Sequence, residues 1–143
     1  MAKDVAQLSP EAVLKLRKKC LRSLYWFAKT VMGDDDIVEH LHGEVCELLE
    51  GPGRWKQVTL PRSFIKTWLG TIAYSIWIAL PRVEPDDFPA GVDPSDKFHR
   101  LGPNIRILIA SYVIGNDMKM ISLIRRTYER NKAMMILDRK SVV

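Results

Sequence analysis

Lys66 and Thr67 are adjacent, and Arg62 precedes them by four residues. An ammonium at the end of a tight loop can reach the β- and γ-phosphates of a nucleotide, and a hydroxyl directly after it can ligate Mg²⁺. The Arg62 guanidinium adds a second fixed positive charge in the same turn, where it can meet a γ-phosphate from within the chain. Backbone N–H groups of Ser63, Phe64 and Ile65, with those of a helix opening after Thr67, would complete an anion cradle. The general phosphate-loop pattern G-x-x-x-x-G-K-[ST] is met only at its last two positions, because Leu60 and Ile65 occupy the two glycine positions. A lysine and a threonine that simply open a helix are the plainer alternative.

A second group, His40, His42 and Cys46, raises the question of a metal. His42 and Cys46 are one helical turn apart and share a face, but a zinc site needs three or four ligands at a recognisable spacing, and His99 is distant in a loop. The set is incomplete, and no metal centre is expected there.

The elements that must hold these groups follow from periodicity. Ser9 and Pro10 can open a helix, whose apolar positions Val13, Leu16, Cys20, Leu24, Phe27 and Val31 predict one long helix ending at Gly33. Asp36 and Glu39 have capping-box spacing for a second helix, with Leu41, Val45, Leu48 and Leu49 as its buried stripe, broken at Gly51-Pro52-Gly53. A short strand is predicted over 56–60, leading into the loop that contains Arg62 and Lys66. A helix follows from Trp68 to Leu80 and stops at Pro81. Residues 81–103 read as a mobile surface loop and 105–111 as a strand buried on both faces. A last helix from about 114 to 131 carries Met118, Ile121, Leu123, Ile124 and Tyr128 on its apolar side. This order contains one β-α-β crossover, expected to be right-handed.

The chain has 143 residues, 47% hydrophobic and 27% charged, which excludes wholesale disorder and fibrous repeats. Its longest uncharged run, 67–81, is shorter than the ~20 apolar residues of a membrane span, and the N-terminus lacks a signal-peptide core. Cys20 and Cys46 are expected to be reduced, packed thiols. The net charge of +5 hides alternating blocks. Residues 1–33 carry seven cations and two acids, 34–53 carry seven acids and no cation, and 54–82 carry five cations and no acid. Lys15, Lys18, Lys19 and Arg22 fall on the outer face of the first helix, which is either simply solvated or a contact for phosphate or a partner.

Four stretches together resemble the N-terminal part of the ATPase domain of phage terminase large subunits. They are His42-Gly43-Glu44-Val45-Cys46-Glu47-Leu48-Leu49; Leu60-Pro61-Arg62-Ser63-Phe64-Ile65-Lys66-Thr67; Gly70-Thr71-Ile72-Ala73-Tyr74 with Trp77; and Asn104-Ile105-Arg106-Ile107-Leu108-Ile109-Ala110-Ser111 with Asn116. The resemblance runs from about Leu24 to Asn131. It implies an α/β fold, a partial P-loop NTPase (RecA-like) parallel sheet preceded by an N-terminal helix pair. It also implies ATP and Mg²⁺ as ligands of Arg62, Ser63, Phe64, Ile65, Lys66 and Thr67, with Thr67 on the metal and Arg62 sensing the γ-phosphate. The implied role is ATP hydrolysis that drives double-stranded DNA into a procapsid in the host cytoplasm. The implied partners are a portal protein, a small terminase subunit and further copies of the chain, with no membrane. Ser63 and Ile65 depart from the small residues usual in that loop. Neither a Walker B acid pair nor a catalytic glutamate can be placed, so little or no hydrolysis is expected from this polypeptide alone.

The chain is expected to divide into an N-terminal helical segment (1–53), a partial ATPase core (54–137) and a tail (138–143). The tail, Asp138-Arg139-Lys140-Ser141-Val142-Val143, is what a common sequencing adapter encodes in one frame, and it reads as a scar on a truncated frame. Two strands are few for a stable sheet, so a marginal, aggregation-prone product is expected. Two alternatives remain open: a small non-catalytic protein that binds nucleic acid or a partner through its first helix, and a fragment of another P-loop motor such as a helicase. The segment 36–42 is a candidate for adenine contact by position only.

Overall fold

Ser9 opens the first helix as its sequence requires. Its hydroxyl accepts from Ala12 N–H at 3.3 Å, and Pro10 takes the first helical position of α1 (Pro10–Arg22) in a computed structural model that describes residues 7–33, 35–53, 55–59, 68–110, 115–131 and 134. The single long helix expected here is two. Ser23 adopts an extended conformation (φ −134°, ψ 116°), and its hydroxyl accepts from Trp26 N–H at 3.4 Å, so it ends α1 and caps α2 (Leu24–Thr30). A serine inside an apolar period competes for the backbone through its own side chain, and here that competition wins. The pair ends at Thr30, and Gly33, three residues on, turns the chain in the left-handed region (φ +69°), where a residue without Cβ is favoured.

Helix α3 (Glu39–Glu50) starts later than expected, and Asp36 does not cap it. Its N-cap is Val38, whose N–H donates to Nδ1 of His42 at 3.1 Å. The helix is also rotated from the expected face. His42, Cys46 and Leu49 are buried, while Leu41 and Leu48 are nearly half exposed. With a backbone partner for its ring, His42 can be buried without the cost of an unpaired polar group.

The central element runs from a π-helical stretch, Trp68–Ala73, into α4 (Tyr74–Ile78). Leu69, Ile72, Ile76 and Trp77 enter the core beside Cys20, Leu21, Leu24 and Phe27 of α1 and α2. Pro81 follows the last turn, as its missing N–H demands. Residues 81–103 are not the open surface loop that their composition suggests. They hold tight turns at Pro85–Asp87 and Gly102–Asn104 and a short helix α5 (Lys97–Arg100), and they bury Arg82, Phe88, Val92 and His99.

The α/β expectation is overturned. Among the described residues there is no strand and no sheet, so the partial P-loop (RecA-like) parallel sheet and its crossover are absent there. Residues 56–59 and 105–110 have no ladder partner. The latter were expected to be buried on both faces, yet Leu108 is 92% exposed and Ile107 45%. An apolar run does not make a strand by itself, since pairing is a non-local property. Helix α6 (Asn116–Arg130) forms close to its expected position but buries no residue fully. Of its expected apolar side, only Ile124 packs against the core.

Candidate functional site

Arg62, Ser63, Phe64, Ile65, Lys66 and Thr67 lie outside the described residues, as do Leu60 and the tail 138–143. What is described is the element that follows. The π-helical stretch begins at Trp68, the residue after Thr67. In a π-helix each N–H bonds five residues back, so the first turn presents one more unpaired amide than an α-helix does. Beside this start lies a groove of about 490 Å³, walled by Gly70, Thr71 and Tyr74 on one side and by the extended segment 105–110 on the other. Phe98 and Met120 close its ends.

A polar cluster lies elsewhere, at three helix C-termini, where the last carbonyl oxygens lack intrahelical donors or, like Trp77 O with Leu80 N–H, have one. Arg82, 5% exposed, spans two of them. Its guanidinium donates to Leu21 O (3.2 Å) at the end of α1 and to Trp77 O (3.1 Å) and Leu80 O (3.2 Å) at the end of α4. It also lies 4.3 Å from the centre of the Trp77 ring. Burial pulls its pKa down to about 10, which leaves it charged at neutral pH, where a cation suits the negative ends of two helix dipoles.

The third terminus belongs to α3. Lys56 donates to Leu49 O and Gly51 O, both at 2.6 Å, and the His99 ring nitrogen Nε2 lies 3.0 Å from Glu50 O. The Glu50 carboxylate accepts from Leu24 N–H at 2.6 Å, so the end of α3 caps the start of α2. Burial raises the Glu50 pKa to about 7, against the Leu24 hydrogen bond that favours the charged form. Burial also lowers the pKa of His99 and that of Lys56. His99 Nδ1 has Asp96 at 3.6 Å, beyond hydrogen-bond distance.

These groups tie helices together. Sequence reasoning missed them because their partners are backbone groups, several of them far along the chain, such as Leu21 O for Arg82 and Glu50 O for His99. Only the end of α3 at Gly51-Pro52-Gly53 hinted at carbonyls in need of donors. His42 and Cys46 do share a buried face, His40 is exposed, and no group of three metal-ligating side chains occurs among the described residues. Both cysteines are free and buried, with thiol pKa values pushed up to about 12 by burial.

Comparison with protein families, curated proteins and solved structures finds no match to this chain. No helix among the described residues is long and apolar enough to cross a membrane.

Proposed function

We propose that this chain is an N-terminal portion of a viral DNA-packaging terminase large subunit, and that its segment 62–67 receives the phosphates of ATP. The observation that carries the reading is the position of Lys66-Thr67 immediately ahead of the helical run Trp68–Ala73. A lysine, an arginine, a hydroxyl and backbone N–H groups form a donor set suited to a magnesium nucleotide. In this reading Lys66 neutralises the β- and γ-phosphates, Thr67 would hold Mg²⁺, and Arg62 faces the γ-phosphate. Bound Mg²⁺ would supply charge neutralisation on the phosphate oxygens. No sheet belongs to the reading. The partners it carries are double-stranded DNA, a portal protein, a small terminase subunit and other copies of the chain, within the host cytoplasm.

Thermal unfolding tests it. A ligand that binds only the folded state raises the melting temperature in proportion to ln(1 + [L]/Kd). Millimolar Mg-ATP is expected to raise the melting temperature of the wild-type chain and to leave that of Lys66→Ala unchanged. An equal rise in both would remove Lys66 from the site.

A further inference from the structure

The outer face of α1 carries charge that the other described residues do not neutralise. Lys15, Lys19 and Arg22 stand at i, i+4 and i+7, which aligns them on one side of the helix. All three are exposed, and among the described residues neither the Lys15 nor the Arg22 side chain has a hydrogen bond or ion pair. Lys18 differs, because Glu84 (3.3 Å) and Asp86 (3.5 Å) already pair with it. Lys19 is held in place instead of neutralised: its Nζ sits 3.6 Å from the centre of the Trp26 ring, and that ring remains 38% exposed. A hollow of about 510 Å³ is lined by Lys18, Lys19, Arg22, Ser23, Trp26 and Asp86. On the far side of Trp26 the surface turns acidic, with Glu39, Glu44 and Glu47 of α3.

We propose that this face of α1, ending at Trp26, binds the phosphate backbone of nucleic acid. The three cations rise about 10 Å along the helix axis, at 1.5 Å per residue, and meet a polymer with about one charge per 1.7 Å of duplex axis. Trp26 orients the Lys19 ammonium toward solvent through the cation–π contact, which lowers the entropy lost when it meets a phosphate. The acidic wall of α3 repels the same polymer and confines it to the α1 side. Contacts of this kind recognise charge and read no sequence. Binding at this face uses no residue of the 62–67 segment, so it stands or falls separately from nucleotide binding.

The test is fluorescence anisotropy of a labelled random-sequence DNA duplex with the full chain, across a salt series. With three phosphates neutralised, the slope of log K against log[salt] is expected near −2.7, an affinity loss of about 40-fold between 50 and 200 mM salt. The triple variant Lys15→Gln, Lys19→Gln, Arg22→Gln is expected to lose at least about tenfold in affinity at 50 mM salt and most of that slope. Lys66→Ala should bind DNA like wild type. Glu44→Gln with Glu47→Gln should bind more tightly. Undiminished binding by the triple variant, or a wild-type slope near zero, would overturn the proposal. So would tighter binding to phosphatidylserine vesicles than to DNA. Should the triple variant lose its helical circular dichroism, Lys19→Gln and the wild-type slope decide between the same outcomes.

Discussion

The indole N–H of Trp77 donates to the carbonyl oxygen of Cys20 at 2.9 Å, across 57 residues of chain. It thereby satisfies one of the orphan carbonyls at the end of α1 from the centre of α4. Trp77 is fully buried and stacks on Tyr74 with ring centres 6.1 Å apart. Trp77→Phe removes the donor and leaves Cys20 O unpaired, at an expected cost of about 2 kcal/mol, whereas Trp77→Ala adds a cavity and costs about 4 kcal/mol. Urea unfolding of both variants checks the order and the spacing.

Arg82 performs the same task for Leu21 O, Trp77 O and Leu80 O with one planar fork. Arg82→Met strands several buried carbonyls at once and is expected to destabilise by about 3 kcal/mol. Arg82→Lys should not restore it, because a single ammonium cannot span two helix ends as a guanidinium does. Equal stability of the Lys variant and wild type, measured in urea, would sink this account of the residue.

Glu50 makes stability depend on pH with a definite sign. Its folded pKa, about 7, lies above the ordinary 4.5, so the folded state holds this proton more tightly than the unfolded state. Its contribution is complete below about pH 4.5 and is lost as pH rises through about 7. His99 opposes it. Its folded pKa is lowered, so its contribution is present above its ordinary value of 6.5 and is lost as pH falls through the lowered one. Glu50→Gln should therefore uncover a melting temperature that rises with pH up to about 6.5. The difference between wild type and variant should shrink or reverse between about pH 4.5 and 7. Parallel pH profiles for the two proteins would contradict the assignment.

Cys20 and Cys46 should be inert in the folded chain. With pKa values pushed up to about 12, almost no thiolate exists at pH 8, and both sulfurs are buried. Thiol-reactive dye should label neither residue within minutes under native conditions and both in denaturant. Rapid native labelling would show that the core around these two cysteines opens readily.

Local chemistry accounts for what the sequence made readable. Ser9 with Pro10, and Gly51 before Pro52, each act within one turn of chain, and that start and that stop fall where the residue types demand, whereas α2 ends at Thr30, three residues ahead of Gly33. The buried run from Leu69 to Leu80 was equally plain, because three- and four-residue spacing is a strong signal. What failed was non-local. Ser23 sits in an unbroken apolar period, and its hydroxyl on Trp26 N–H, with the distant Glu50 carboxylate on Leu24 N–H, divides the helix. Leu41 and Leu48 fit an apolar stripe better than His42 does, yet a backbone partner allows His42 inside. Residues 105–110 have strand composition without a strand to pair with. Arg82 and His99 were hidden in a segment whose Pro, Asp and Gly content resembles open loop, while their partners are carbonyls of distant helices. Of the candidate site, Arg62 to Thr67 lie outside the described residues, and only the helical run that follows, from Trp68, is described.

Direct titration of the full chain with a fluorescent ATP analogue and Mg²⁺ tests the central claim most closely. Saturable binding by the wild type is expected, weakened at least about tenfold, or about 1.4 kcal/mol, by Lys66→Ala, and made insensitive to Mg²⁺ by Thr67→Ala. Equal affinities for wild type and Lys66→Ala, or no saturable binding by the wild type, would contradict it.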